Sequence, residues 1–408
     1  MHLPLASLLP LVGLFLEVAA DLTVLGVGSK DKIPNSYIVV LKPSTNQTQV
    51  QEHTQHITTY HTSQSLRRRA GTAGIRGQFD IQGTGPGFKG YTVQCDSGTL
   101  KEILRSPEVQ YVEQEGVTRV QITQKSSTWG LSRISWKTLP NPPYSYRYLD
   151  SWGGRGVTVY VVDTGVRITH KELEARASWG YNAVPKSPNA DNHGHGTHVA
   201  GTVGGKTYGV AKYAWIKAVK VIGDDGKGQD SYTLAGLDYI SKNAKPGKSV
   251  VNMSIGGSKS QAVNDAITAL YRKGIVVVAA AGNENEDAGL SSPASATNAI
   301  TVAAIDDTDT RADFSNYGRV VDVFAPGVNV LSLGIDSDTA TKYDNGTSMA
   351  APHVAGLAAY YISSNSYSYQ DPRTVPRSIY ERILSTAQNG IVKKAGPGTP
   401  NRVVYNGW

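Results

Sequence analysis

Apolar and polar positions along the 408-residue chain fall into three stretches of different rhythm. From Leu3 to Val18 apolar residues run almost unbroken, interrupted by Pro4, Pro10 and Glu17 and ending at Ala19-Ala20. The run is too short for a comfortable bilayer span, and Val18 and Ala20 suit the small-residue rule of signal cleavage, so residues 1–20 are predicted to be a secretory signal peptide. No other run reaches the roughly 18 apolar residues a spanning helix needs, so no membrane partner is expected.

The second stretch alternates short apolar runs with polar helical segments. Ser36 to Lys42 reads as a strand, Thr48 to Arg69 as a polar helix, and Gly90 to Gln94 as another strand. Asp96 or Ser97 can cap a helix from Leu100 to Arg105 whose Leu100, Ile103 and Leu104 share one face, and Val109 to Val112 returns as a strand. Together they predict a small α+β domain of the split β-α-β kind within residues 21–119.

In the third stretch, residues 120–408, strands are predicted at Val157 to Asp163, Ile216 to Ile222, Ser249 to Ile255, Ile275 to Ala281 and Ile300 to Ile305. Most are continuous apolar runs, as strands covered on both faces must be. Between them Leu234, Leu237 and Ile240 form one helical stripe, and Val263, Ile267 and Leu270 another. The fold class is therefore α/β, a doubly wound and mainly parallel sheet with helices on both faces, which binds ligands at the carboxyl ends of its strands.

Composition narrows the function classes. With 39% hydrophobic and 18% charged residues the chain is globular, which excludes a disordered or collagen-like protein. The net charge of +7 is mild and spread along the chain, with one short basic cluster at Arg67-Arg68-Arg69 that reads as a solvated face or a cleavable segment, so no nucleic-acid partner is expected. A single cysteine, Cys95, closes no disulfide within the chain and builds no cysteine-based metal site.

Four polar sites stand out, and each alone has a plain structural alternative. Asp163 ends an apolar strand before Thr164-Gly165, where turn residues are common. His193, His195 and His198 crowd just ahead of a small-residue helix; they could hold a metal, or one imidazole could serve as a base beside a carboxylate. Ser348 starts a helix of small residues, as a catalytic nucleophile or an N-cap would, and Asn283 closes another strand, as an amide donor or a turn residue would.

Asp163, His195 and Ser348 occur in the chain order of the subtilisin triad. The segments Val162-Asp163-Thr164-Gly165, His195-Gly196-Thr197-His198-Val199-Ala200-Gly201-Thr202 and Gly346-Thr347-Ser348-Met349-Ala350-Ala351-Pro352-His353 resemble the three active-site signatures of that family, and from Trp129 to about Gly407 the chain most resembles its secreted fungal proteinase K group. Residues Asn35 to Arg119 resemble the inhibitory propeptide of such enzymes. The resemblance implies a secreted, monomeric, self-processing serine endopeptidase acting on proteins and peptides, with its own propeptide as inhibitor. It implies Ser348 as nucleophile, His195 as general base and acid, Asp163 as the group orienting the imidazole, and Asn283 as oxyanion donor. His198 and His353 match non-catalytic positions, and His193 lies in a variable spot expected to be exposed.

The resemblance also implies two backbone walls of a primary specificity pocket, Ser254-Ile255-Gly256 and Ala279-Ala280-Ala281, both uncharged, and an extended substrate-pairing strand through Gly228 and Gln229. Asp230 replaces the aromatic residue frequent beside that strand. No catalytic metal is implied, but one structural calcium is, held by backbone carbonyls of Thr297 and Ala299 and the carboxylate of Asp322. Glu113 to Arg119 would be an extended tail entering the active-site cleft, cut near Arg119-Val120. Asn46, Asn252 and Asn345 begin glycosylation sequons, of which the last two fall beside the expected active site and should remain unmodified.

Overall fold

The computed structural model describes residues 22–27, 32–68, 74–81, 87–116, 121–364 and 371–408. The expected signal peptide and the Arg119-Val120 junction lie outside these residues, as do the side chains of Arg67, Arg68 and Arg69. The chain divides into two compact units, Met1–Thr118 and Arg119–Trp408.

The smaller unit contains β1 (Val24–Leu25), β2 (Lys32–Leu41), α1 (Gln47–Arg68), β3 (Gly74–Ile81), β4 (Phe88–Gln94), α2 (Ser97–Leu104) and β5 (Val109–Gly116). Its sheet has the order β1-β5-β2-β4-β3, antiparallel except for the β1–β5 pair. Asp96 caps α2 by accepting the Thr99 N–H at 2.8 Å, and Asn46 and Gln49 exchange side-chain and backbone bonds at the start of α1. Strand β3, absent from the sequence prediction, pairs with β4; its Gly-Ile-Arg-Gly-Gln-Phe-Asp-Ile has five of eight positions polar or glycine, which hides the alternation. Glu113–Gly116, the first part of the expected extended tail, continue β5 and pair with β2 through Glu113↔Ile38 and Gln114↔Tyr37, and its last residues, 117–119, lie outside the described ones.

The larger unit opens with β6 (Gln121–Lys125), α3 (Trp129–Arg133) and β7 (Ser145–Leu149), followed by β8 (Thr158–Asp163), β9 (Ala177–Asn182), α4 (His195–Gly204), β10 (Trp215–Lys220), α5 (Asp230–Asn243) and β11 (Ser249–Met253). Next come β12 (Gly257–Ser258), α6 (Gln261–Arg272), β13 (Val276–Ala280), β14 (Ser291–Ser292), β15 (Ile300–Ile305) and β16 (Val323–Pro326). The chain ends with β17 (Val330–Leu333), β18 (Thr341–Asp344), α7 (Thr347–Ile362), α8 (Val375–Thr386), β19 (Gln388–Asn389) and β20 (Arg402–Val403). The main sheet has nine strands in the order β19-β20-β16-β15-β13-β11-β8-β10-β9, parallel throughout except at β19–β20.

Alternate residues of each central strand face opposite layers. Val159 and Val161 of β8 pack with α4 and α7, while Tyr160 and Val162 pack with Leu237 and Ile240 of α5 and Ile267 of α6. Both faces are thus dry, which explains the unbroken apolar runs read in the sequence. At the start of this unit Arg133, with no exposed surface, is held by both oxygens of Asp309 at 2.7 and 3.1 Å, a pair whose rupture would leave a charge in the interior.

Candidate active site

The connections of a parallel sheet deliver helix N-termini to the carboxyl edge of the strands, where α4 and α7 both begin. Asp163 is the last residue of β8 and is fully buried. Its Oδ1 accepts the N–H of Thr164 at 2.7 Å and faces Nδ1 of His195, the first residue of α4, also at 2.7 Å. The approach is close because residue 196 is glycine: a Cβ there would lie 2.1 Å from the Gly165 carbonyl oxygen. Burial pushes the His195 imidazole toward the neutral form, but the charge and hydrogen bond of Asp163, with Asp344 and Asp191, outweigh it and raise its pKa above 6.5.

Ser348 lies in the first turn of α7, after Gly346 turns the chain at φ 147°. Its hydroxyl donates to the Ser254 carbonyl at 3.1 Å, and the Ser254 hydroxyl donates back to the Ser348 carbonyl at 2.8 Å. The serine is thus turned toward β11's end and makes no hydrogen bond to His195, a bond that is frequently unformed in unliganded sites; a χ1 rotation is what would redirect it. Asn283 offers its Oδ1 to the N–H and hydroxyl of Thr347 at 2.8 and 2.9 Å, which fixes the amide with its NH₂ on the other side. A Cβ placed on Gly346 would lie 3.5 Å from the Ser348 N and 3.7 Å from Asn283 Nδ2, so two nitrogen donors border one gap at a helix N-terminus.

Beside this gap a cleft of about 170 Å³ is lined by Asp163, His195, Ser254, Ile255 and Gly256 among others. Gly228 and Gln229 are exposed and outside that lining, although Gly228 bridges antiparallel to Ile222, which belongs to it. Ala279, Ala280 and Ala281 are buried, with side chains in three different apolar clusters, and do not line the cleft; there the expected wall can be backbone only. The three clustered histidines part ways. His193 is exposed, whereas His198 is buried with Nε2 on the carbonyls of Val330 and Lys342, at 3.0 and 3.1 Å. His353 is fully buried, with Nδ1 on the Met349 carbonyl, and burial lowers its pKa to about 4. Among the sequons, Asn252 has no exposed surface and donates to the Ser254 hydroxyl, so it cannot carry a glycan, while Asn46 and Asn345 are exposed.

Asp322 precedes β16, away from the cleft. Burial raises its pKa to about 6, its oxygens accept the Thr301 N–H and the Tyr380 hydroxyl, both at 2.8 Å, and no ion-pair partner for it occurs among the described residues. Thr297 and Ala299 line a cavity of about 330 Å³ together with Tyr380. A half-buried carboxylate without an ion-pair partner, with carbonyl-bearing residues at a neighbouring cavity, fits a hard divalent cation in donor chemistry, with the Tyr380 hydroxyl as its competitor.

One residue of this region went unread in the sequence. Asp191, in the loop before α4, is 6% exposed and takes five hydrogen bonds from the segments that carry Asp163 and His195. Its neighbours Ala190 and Asn192 give it no periodicity, so only its position four residues before a candidate base could have flagged it.

Comparison with known proteins agrees with this geometry. The description "Subtilase family" matches residues 154–406, and "Peptidase inhibitor I9" matches residues 36–121. A cuticle-degrading serine protease of Arthrobotrys oligospora is 47% identical over 99% of this chain and 98% of its own. Subtilisin-like protease 2 of Pseudogymnoascus destructans is 44% identical over 98% of this chain and 96% of its own. Among solved structures, a cold-adapted subtilisin-like serine proteinase superposes with a TM-score of 0.63 at 39% identity, covering 69% of this chain and 98% of that one.

Proposed function

The chain belongs to the subtilase family of serine proteases and carries an I9 inhibitor domain, the organisation of a zymogen, and from that premise we propose a secreted endopeptidase that cleaves proteins through an acyl-enzyme on Ser348. His195 takes the Ser348 proton as the hydroxyl attacks the scissile carbonyl, then gives it to the leaving amine; water repeats the sequence to free the acyl group. Asp163 holds Nδ1–H of the imidazole and stabilises the imidazolium. The Ser348 N–H and the Asn283 amide receive the oxyanion, charge that exists only near the transition state.

The observation that carries this reading is the 2.7 Å bond between a partly exposed imidazole and a buried carboxylate, at a cleft whose Ser254 bonds the helix-start serine. The cleft wall Ser254-Ile255-Gly256 offers no charge, so large apolar or aromatic residues would be preferred before the cut bond, because a charged side chain would lose water without gaining a partner. Gly228 and Gln229 would pair with the extended substrate backbone. Maturation would cut near Arg119-Val120, and residues 1–20 would direct export. Asp322 with the carbonyls of Thr297 and Ala299 would hold one structural calcium, which supplies charge compensation to the fold and takes no part in the chemistry.

The test is turnover of Ser348→Ala, made as the full chain and freed of contaminating protease. Activity should vanish, whereas peptide cleavage within tenfold of the unmodified enzyme would refute the assignment. Since His195 must be neutral to act as a base, kcat/KM should fall as pH drops through a pKa above 6.5.

A further inference from the structure

Asp191 is a buried carboxylate with no ion-pair partner among the described residues, an arrangement that is costly unless its oxygens are fully satisfied. They are. Oδ1 accepts the Thr164 hydroxyl at 2.8 Å, the Gly194 N–H at 2.8 Å and the His193 N–H at 3.2 Å. Oδ2 accepts the N–H and hydroxyl of Thr197, at 2.9 and 2.6 Å. The donors come from two places: Thr164 follows Asp163 at the end of β8, whereas His193, Gly194 and Thr197 surround His195 at the start of α4.

Each hydroxyl also carries the tie onward. The Thr164 Oγ1 accepts the N–H of Gly196 at 2.9 Å, and the Thr197 Oγ1 accepts the N–H of Arg167, also at 2.9 Å. On the far side the buried ammonium of Lys220 holds the Thr164 carbonyl at 2.5 Å. Besides their direct bonds, the strand end and the helix start are therefore joined through one side chain that belongs to neither, and a shift of that side chain moves Asp163 and His195 relative to each other.

Resting on the serine-protease reading above, we infer that Asp191 is the positioning residue of the His195–Asp163 pair, clamping the imidazole-bearing helix start to the carboxylate-bearing strand end and adding fixed negative charge behind the imidazolium. The charged or titratable groups facing His195 are Asp163 from β8, Asp344 from β18, Asp191 and His193 from the preceding loop, and His198 one turn along α4, with Lys220 reaching the same strand end from β10. Of these, Asp191 alone bonds both segments while lying outside both.

The test uses Asp191→Asn and Thr164→Val, each made as the full chain, with turnover normalised to the sites labelled by a sulfonyl reagent. Asp191→Asn loses the charge and sets an amide NH₂ against N–H donors; kcat should fall on the order of a hundredfold with KM nearly unchanged, the loss expected of misplaced reacting groups. The acid limb of kcat/KM should move to lower pH, because a negative charge that favours the imidazolium is gone. Thr164→Val cuts the tie while keeping the carboxylate, so kcat should fall with the acid limb in place; it also decides the matter if Asp191→Asn fails to fold. Turnover within twofold of the unmodified enzyme in the variant that folds, or a loss residing in KM, would overturn the inference. A Ser348→Ala control separates the two claims: activity there would sink the serine mechanism itself, whereas its absence with Asp191→Asn unimpaired would sink only the clamp.

Discussion

In the inhibitor unit one cluster of nine buried apolar side chains, from Val39 to Val112, carries the packing, and buried polar groups sit close by: His53, Thr54 and His61 on α1 and Thr99 on α2. The protease unit instead covers both faces of a nine-stranded sheet, and its buried polar groups include ties such as Arg133–Asp309 and the bonds of Asp191. The contrast matches the life of each part. A small domain buries a smaller share of its surface and holds little stability in reserve, which suits a segment to be discarded. A two-sided core gives the rigid strand ends on which a site must be held to a fraction of an ångström.

His53 shows the difference most plainly. Its Nε2 faces the Tyr91 hydroxyl at 2.9 Å and its Nδ1 the Ser106 hydroxyl at 2.8 Å, which in turn donates to Glu108 at 2.9 Å. With the Ser106 proton on Glu108, Nδ1–H must donate to Ser106 and Nε2 must accept from Tyr91. A second ring proton would strand the hydroxyl hydrogen of Tyr91, which has no exposed surface.

The comparison can be broken most forcefully in the cores. Ile103→Ala in the inhibitor unit and Ile267→Ala in the protease unit should each cost about 2–5 kcal/mol. That loss rivals the whole stability of a small domain, so in a Ser348→Ala background amide hydrogen exchange should show the first variant losing protection across residues 32–116 and the second keeping its sheet protected. Equal survival would remove the contrast. Next, Asn283→Ala should lower kcat by roughly a hundredfold to a thousandfold with little change in KM, a magnitude known from subtilisin, a member of the same family. A loss mainly in KM would assign the amide to substrate positioning instead.

Smaller is the effect of chelation. Removing the proposed calcium should lower the unfolding temperature of the protease unit by several degrees and leave initial rates nearly unchanged, and Asp322→Ala should mimic it. Identical unfolding with and without chelator would exclude the site. Smallest is a pH slope. Burial lowers the His53 pKa although Glu108 opposes it, so the unit's stability is full above the unfolded value of 6.5 and is lost as pH falls through it toward the lower folded value. His353, lowered to about 4, acts with the same sign in the protease unit, but against a larger reserve. Thermal unfolding followed from pH 7.5 to 5 should therefore show the inhibitor unit fading first, and His53→Gln should flatten its slope; an unchanged slope would put the acid response elsewhere.

What could be read from sequence follows from what the chain must bury. Strands β8, β11, β13 and β15 were legible because two covered faces demand continuous apolar residues, and their ends located Asp163 and Asn283. The edge strand β9, Ala-Ser-Trp-Gly-Tyr-Asn, is half-buried and mixes polar with apolar residues, so it carried no such signal. Asp163, His195 and Ser348, the proposed triad, stood out through their neighbours' small size and their order. Asp191 did not, because its role comes from contacts with residues on either side of a turn and not from any spacing. Ala279 to Ala281, expected as a backbone wall of the pocket, turn their side chains into the apolar clusters, which leaves only their backbone for that wall.

The central claim is that Ser348 is the nucleophile made reactive by His195. Labelling the active protein with a serine-directed phosphonyl reagent, followed by mass spectrometry of its peptides, tests it directly. One adduct should form, on Ser348, in step with loss of peptide cleavage; it should be absent from Ser348→Ala and form far more slowly in His195→Ala. Full activity in the face of reagent, or immediate loss of activity to a chelator with Ser348 unlabelled, would contradict the account.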